Sequence, residues 1–273
     1  MTSTQTDRAN RFLELHRPGD PLLMPNAWDL GSAAVLESLG FEALATTSSG
    51  HAATLGRLDG GVTRAEALEH ATALAGGTDL PVSADLENAF ADDPEGVAET
   101  IGLAVEAGLA GCSVEDYSGG EDARIYSLEF ARERVAAAAE VAHSGPVRLV
   151  VTARAENHIR GHDDLADTIA RLQSYQEAGA DVLFAPGLTT PGDIRRVVES
   201  VDRPVNVLAV RGAPPVAELA ALGVARVSVG GAFAFAALAA LYDAAEELRE
   251  QGTYGYLDRA ATGGKAARSA FTR

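Results

Sequence analysis

One phrase recurs four times in this chain: the end of a helix-like stretch, a small residue or leucine, a glycine, and then an apolar run. It spans Ser38–Ala45 (SLGFEALA), Glu106–Val114 (EAGLAGCSV), Glu177–Phe184 (EAGADVLF) and Ala221–Val229 (ALGVARVSV). Glycine just beyond a helix takes the left-handed cap, and an apolar strand directly after it makes a short helix-to-strand loop. Four such junctions require helices and strands to alternate, and alternation lays the strands parallel in one sheet.

The strand count selects the architecture. Apolar, strand-like runs fall at 21–27, 41–48, 81–87, 111–116, 147–155, 180–186, 204–210 and 225–230. Helix-like stretches separate or follow them at 30–39, 63–75, 94–107, 127–142, 163–178, 191–200, 214–222 and 231–250. Eight of each predicts a (β/α)8 TIM-type barrel. A doubly wound sheet would carry a Gly-rich turn after its first strand; here that strand runs into Asn26, Ala27 and Trp28. No linker, low-complexity tract or composition break divides the chain. It reads as a single barrel domain, residues 1–273, with an N-terminal helical extension over about 4–17 and a C-terminal helical tail over about 231–273.

Composition narrows the partners. A hydrophobic fraction of 47% describes a globular chain, and a net charge of −17 argues against nucleic acid or an anionic membrane as a partner. Cys112 is the only cysteine, so no internal disulfide forms and a reducing cytosol is the simple expectation. The N-terminus is polar, and the longest uncharged run, Val227–Tyr242, is short for a membrane span. These features predict a soluble cytoplasmic protein.

In a barrel of this kind function sits at the C-terminal ends of the strands. Those ends collect Asn26 and Trp28, then Thr47, Ser48 and Ser49, then Asp85 and Glu87, then Glu115 and Asp116. Later strands add Arg154, Glu156, Pro186 and Asn206. Carboxylates beside a buried sheet are costly unless a cation meets them. Converging oxygens favour a hard ion such as Mg²⁺, which keeps some of its waters. Asp85 is the candidate for direct metal contact, with Glu87 and Glu115 near enough to bind the ion or its waters. Asp59, within Gly56–Gly61 (GRLDGG), either joins from its loop or serves only as a turn-forming Asp-Gly. Asp116 reads as a group that orients a neighbour.

Arg154 ends a strongly apolar strand. Its guanidinium either grips a substrate carboxylate or enolate oxygen, or forms a structural bridge to Glu156 or Glu115. Hydroxyls and amides over Thr46–Gly50 suit a carboxylate or oxyanion. Trp28 and Tyr117 read as pocket walls. His51, His158 and His162 fall near rim loops, with surface or packing roles expected, and Cys112 as a small core residue.

Taken in order, these stretches resemble the isocitrate lyase/phosphoenolpyruvate mutase superfamily. The resemblance is carried by Pro25–Trp28, Thr47–Ser49 with Leu55–Asp59, Asp85–Glu87, Gly111–Asp116, Ala153–Glu156 and Ala180–Phe184. It implies a (β/α)8 barrel whose eighth helix is swapped between subunits of a homo-oligomer, a dimer or tetramer. It implies Mg²⁺, with Mn²⁺ as a substitute, contacted directly by Asp85 and through water by Asp59, Glu87 and Glu115. Arg154 would meet substrate oxygens, and amides near Ser48 and Ser49 the substrate carboxylate; from their strand-end positions, Trp28, Thr47 and Asn206 are further substrate-pocket candidates. Catalytic candidates are Arg154, Glu115 and Tyr117. The shared chemistry makes or breaks a bond to C3 of a 2-oxo acid through an enolate.

Three departures stand out. The lyases carry a Lys-[Lys/Arg]-Cys-Gly-His loop after strand four, whereas Tyr117–Tyr126 reads YSGGEDARIY, with no Cys, Lys or His. The histidine that some phosphomutases place after strand six is missing from Phe184–Gly187 (FAPG). Glu87 stands where many members have Asp. The expectation is a Mg²⁺-dependent carbon–carbon lyase acting on a small 2-hydroxy or 2-oxo carboxylate, of methylisocitrate lyase type. Alternatives are oxaloacetate decarboxylation or hydrolysis, phosphonopyruvate or phosphoenolpyruvate mutase chemistry, and a 2-oxo acid-binding protein with little turnover. The proton donor is open among Arg124, Tyr126, Tyr117 and a rim histidine.

Overall fold

The computed structural model describes residues 3–120 and 123–272. It begins with α1 (Gln5–Glu14), β1 (Leu22–Met24), α2 (Leu30–Ser38), β2 (Leu44–Ala45), α3 (Ser48–Thr54) and α4 (Arg64–Gly77). There follow β3 (Val82–Asp85), α5 (Pro94–Glu106), β4 (Gly111–Glu115), α6 (Leu128–Ser144), β5 (Val150–Arg154) and α7 (Leu165–Glu177). The chain ends with β6 (Val182–Phe184), α8 (Pro191–Glu199), β7 (Val205–Leu208), α9 (Val216–Ala221), β8 (Arg226–Ser228), α10 (Ala232–Gln251) and α11 (Leu257–Phe271).

All eight strands pair in parallel, in the order β1-β8-β7-β6-β5-β4-β3-β2. The seam between β1 and β2 is drawn together just beyond β1: Ala27 N–H donates to the Ala45 carbonyl at 2.7 Å and Ala45 N–H to the Pro25 carbonyl at 3.0 Å. Asn26 clamps this seam. Its Nδ2 donates to the Thr46 carbonyl at 2.6 Å, while its Oδ1 accepts from the amides of Val229 and Gly230. The fold is the predicted (β/α)8 barrel.

The recurring glycines do what their sequence context demands. Gly40, Gly108, Gly179 and Gly223 all sit at positive φ, between +82° and +107°. At Gly179 space is limiting too, since a Cβ there would lie 2.9 Å from the Ala139 methyl. Polar caps start the outer helices: Thr63 before α4, Asp93 before Pro94 of α5, Ser127 before α6, and Thr190 before Pro191 of α8. One element departs from expectation. Part of the Thr46–Gly50 loop is the first turn of α3, with Thr47 Oγ1 accepting from Gly50 N–H at 3.3 Å.

At the opposite end α1 closes the barrel. Phe12 is fully buried against Gly111, where a Cβ would fall 2.7 Å from its ring. Just past α1, His16 turns inward beside Arg226. Arg226 donates to Asn206 Oδ1 at 2.9 Å, Thr152 Oγ1 at 3.2 Å and His16 Nε2 at 3.1 Å. His16 Nδ1 lies 2.7 Å from the Phe12 carbonyl, which only accepts, so Nδ1 carries the proton and Nε2 receives the arginine. Burial holds the His16 pKa down to about 3. Burial and then Arg154 lower that of Arg226 to about 9, so it remains charged at neutral pH.

The C-terminal helices behave differently from the barrel helices. α11 packs on α2. α10 buries only Ala234 and exposes Phe233, Phe235, Leu238, Leu241 and Tyr242. Among the described residues no helix is long and apolar enough to cross a membrane.

Candidate active site

A cavity of about 800 Å³ opens at the C-terminal mouth of the barrel and reaches down to Arg226. Asp85, Glu115 and Arg154 are the last residues of β3, β4 and β5, and the register sets Glu115 directly beside Arg154. Their side chains meet. Arg154 Nη1 lies 2.8 Å from Glu115 Oε1 and 3.2 Å from Asp85 Oδ1. Its Nε and Nη2 lie 2.9 Å and 2.8 Å from Glu156 Oε1. The guanidinium also sits 5.0 Å from the centre of the Phe184 ring. Burial opposes its charge, but Glu115, Glu156 and Asp85 outweigh burial and push the Arg154 pKa above its ordinary value.

The acids carry the reverse strain. Burial, with Glu156 and Asp85 as like charges, drives the Glu115 carboxyl well above the usual carboxylate range against the pull of Arg154 and Arg160. Burial, followed by Asp85 and Asp59, raises Glu87 to about 7. Asp85 is anchored at both ends: its N–H donates to Thr46 Oγ1 at 2.8 Å, and its Oδ2 accepts from Ser48 N–H at 3.1 Å. Asp116 faces away from the cavity, buried behind the sheet. Its Oδ1 accepts from Glu156 N–H at 2.8 Å, and its Oδ2 accepts from Tyr175 Oη at 2.6 Å and Arg171 Nη1 at 3.0 Å. It therefore fixes the chain just after β5, where Arg154 and Glu156 arise.

Thr47, Ser48, Ser49, Asp59, Asp85, Glu87, Glu115, Tyr117 and Arg154 all line this one cavity. Trp28 and Asn206 do not. Trp28 lies beyond β1 with its carbonyl turned to His70 Nε2 at 3.0 Å. Asn206 lies two positions below the end of β7, its amide joined to Arg226 and Ser228 inside the barrel. Both expectations placed these residues at the rim by sequence position alone. The fold leaves half-buried Trp28 outside the cavity lining and seats Asn206 lower in the barrel.

Arg160 was not anticipated from sequence. It follows β5 in a loop, lines the cavity, and brings Nη2 within 3.2 Å of Glu156 Oε2 and 3.7 Å of Glu115 Oε2. Its guanidinium carbon stacks 3.8 Å from the Tyr117 ring centre. Its spacing of four from Glu156 was the available signal. Tyr126 is occupied elsewhere: its hydroxyl donates to Asp92 Oδ1, and its ring lies against Arg134. The Cys112 thiol is buried in β4, and burial pushes it up to about 12.

Five carboxylates (Asp59, Asp85, Glu87, Glu115 and Glu156) thus share one cavity with four arginines, Arg64, Arg154, Arg160 and, at its base, Arg226. Burial and neighbouring acids lift Glu87 and Glu115, and a hard divalent cation bound among these oxygens would offset both. Among the described residues no three acidic, His or Cys side chains already converge as a closed ligand set, and the Arg154 guanidinium sits between Asp85 and Glu115. The donors therefore fit an ion that retains much of its water, as Mg²⁺ does, better than a tightly caged one.

Known proteins point the same way. A family model described as phosphoenolpyruvate phosphomutase matches residues 12–249. A 2-methylisocitrate lyase of Halalkalibacterium halodurans is 31% identical over 211 residues, covering 74% of this chain and 67% of that protein. A solved structure from Burkholderia cenocepacia J2315, described as a lyase/mutase, matches with a TM-score of 0.94 and 48% identity, covering 98% of this chain and 97% of that one. The solved 2,3-dimethylmalate lyase, a PEP mutase/isocitrate lyase superfamily member, matches with a TM-score of 0.82 and 28% identity over 93% and 90% of the two chains. With barrel, rim acids and relatives in agreement, the chain belongs to the phosphoenolpyruvate mutase/isocitrate lyase superfamily of lyases and mutases.

Proposed function

We propose that this protein is a Mg²⁺-dependent lyase that breaks or forms a carbon–carbon bond at C3 of a small 2-oxo or 2-hydroxy carboxylate. The observation that carries this reading is the contact of Arg154 with Asp85 and Glu115 at the mouth of the barrel, beside the Ser48 amide. The methylisocitrate and dimethylmalate lyases among its relatives support the reaction type. Asp85 would hold the ion directly, and Glu87, Glu115 and Asp59 largely through water; Mn²⁺ would substitute. When bound, the ion supplies Lewis-acid stabilisation of charge developing on the substrate oxygens.

The protein's own groups do the rest. Arg154 orients the substrate and offers fixed N–H donors to developing oxyanion charge. With the Ser48 N–H held by Asp85, the Ser49 amide and the hydroxyls of Ser48 and Ser49, at the start of α3, would receive the substrate carboxylate. Arg160 adds a second guanidinium at the mouth. Tyr117, Glu115 and Glu87 are the groups facing the cavity that could carry a proton to or from substrate, and burial raises the proton affinity of both glutamates. The exposed apolar stripe of α10 is the surface for helix exchange between subunits of a dimer or tetramer, and a cytoplasmic setting for a single-domain enzyme completes the reading.

A second reading is favoured by the loop between β4 and α6. Its described residues, Tyr117–Gly120 and Ala123–Tyr126, include no thiol, lysine or imidazole to serve as acid. Oxaloacetate decarboxylation or hydrolysis, or phosphonopyruvate chemistry, would use the same acids and arginines without that group.

The test is turnover of isocitrate, methylisocitrate, dimethylmalate, oxaloacetate and phosphonopyruvate, with Mg²⁺ and with EDTA. Metal-dependent product from one of the first three supports the lyase, and product from one of the last two the second reading. Ligand-linked thermal stabilisation without product indicates a binding protein, and absence of both ends the proposal.

A further inference from the structure

Part of the candidate site stands on backbone that most residues resist. Between β3 and α5 the chain passes through Glu87, Ala89 and Phe90 at φ of +50°, +61° and +54°. Side chains with a Cβ rarely enter this left-handed region, and a run of them persists only where the surroundings hold it.

The holder is Arg134 of α6, whose side chain is fully buried. Its Nε donates to the Asp92 carbonyl at 2.8 Å and its Nη1 to the Glu115 carbonyl at 2.8 Å. Its Nη2 donates to the carbonyls of Ala91, at 2.8 Å, and Asn88. The ring of Tyr126 covers the guanidinium at 4.4 Å and donates its hydroxyl to Asp92. None of the ion pairs among the described residues includes Arg134. A single planar cation thus directs four of its five N–H groups to the carbonyls of the left-handed loop and to the carbonyl of Glu115. The two backbones it joins are already in contact, since Glu115 N–H donates to the Glu87 carbonyl at 2.8 Å.

We propose that Arg134 is a positioning residue: it fixes the separation of the Glu87 and Glu115 carboxylates by locking the β3–α5 loop to the end of β4. This rests on the reading of those acids as holders of a divalent cation. No side chain of Arg134 reaches the cavity, so it acts through the two acids. A lysine carries the charge but lacks the fork that spans three loop carbonyls and a strand end.

Arg134→Lys tests it, with Arg132→Met, on the exposed face of the same helix, as control. The measurements are a crystal structure of the metal-free variant, its thermal midpoint, and Mg²⁺ titration by calorimetry. The expected result is a folded protein in which Glu87, Ala89 and Phe90 leave the left-handed region and the Mg²⁺ dissociation constant rises about 10- to 100-fold, with the control unchanged. An unchanged loop overturns the inference whatever the affinity. A relaxed loop with Mg²⁺ affinity within about twofold of the parent also overturns it. Arg134→Met removes the fork altogether; if it fails to fold, the lysine variant decides. Should the parent protein take up no Mg²⁺, the reading of the site falls. The separation of the Glu87 and Glu115 carboxylates in the lysine variant then judges Arg134 alone: altered supports it, unaltered overturns it.

Discussion

The mouth and the floor of this barrel each bury an arginine, in opposite company. Arg154 at the mouth lies among Asp85, Glu115 and Glu156, and their charges raise its pKa despite burial. Arg226 at the floor donates, among the described residues, to neutral groups, Asn206, Thr152 and a histidine that burial keeps uncharged; burial and then the charge of Arg154 bring its pKa to about 9. A buried ion pair surrounded by excess acid is a poor way to gain stability and a good way to hold charge ready for a ligand. A buried cation dispersed over neutral acceptors is held by hydrogen bonds alone and serves packing. The mouth should therefore lose chemistry when altered, and the floor should lose stability.

The largest effect tests the mouth. Arg154→Met removes donors aimed at developing oxyanion charge, and turnover should fall by about 100- to 1,000-fold or more. Asp85→Ala should abolish metal-dependent turnover and Mg²⁺ uptake together. In Asp85→Ala the thermal midpoint should move little, because Arg154 keeps Glu115 and Glu156 as partners; Arg154→Met leaves those two buried acids without their cation, so its turnover is compared per folded molecule. A steady-state assay beside a melting curve reads both quantities. Near-parental turnover in either variant would remove that residue from the site.

Arg226→Met should invert the pattern. Asn206 Oδ1, Thr152 Oγ1 and His16 Nε2 each lose a partner in the interior, and unsatisfied buried groups cost about 1–3 kcal/mol apiece. Denaturant unfolding should show a loss of that order, while turnover per folded molecule changes far less than in Arg154→Met. A variant equally stable but inactive would show that the floor belongs to the chemistry, and the contrast drawn between the two ends would fail.

How much of this contrast could be read from sequence differs between the two ends. The barrel was legible because the glycine junctions repeat, and left-handed caps have few alternative uses. The rim acids were legible because strands end where apolar runs meet charge, which located Asp85, Glu115 and Arg154 together. Asn206 was misplaced for a related reason: the run 204–210 looks uniformly strand-like, yet the ordered strand ends at Leu208, leaving Asn206 inside. Part of α3 was read as loop because Thr46–Gly50 is rich in turn formers. The cap geometry of Thr47 and the alanines that follow decide otherwise. Arg160, Arg134 and the pairing of His16 with Arg226 were not legible. Arg160 left only its spacing of four from Glu156 as a local trace, while Arg134 and the His16–Arg226 pair depend on side chains crossing between elements distant in sequence, 210 residues apart for the last pair, which no local pattern reports.

The smallest effect sets the two ends against each other by pH. His16 at the floor has its pKa lowered from 6.5 to about 3, so between those values the unfolded chain binds the extra proton and stability rises with pH. Its contribution is complete above about pH 6.5 and is lost as pH falls toward 3. Glu87 at the mouth runs the other way. Its pKa is raised from 4.5 to about 7, so between those values the folded protein holds the extra proton and metal-free stability falls as pH rises. Melting curves of the metal-free protein from pH 4 to pH 8 should therefore contain two opposed slopes, separable by substitution. Glu87→Gln should raise the midpoint at pH 8 and leave the acid limb intact, whereas His16→Gln should make the acid limb shallower, leaving the part due to carboxylates such as Glu66 and Asp181, and keep the fall toward pH 7 in place. Identical profiles for Glu87→Gln and the parent would mean that the mouth does not strain its acids, and the case for a cation there would lose its electrostatic basis.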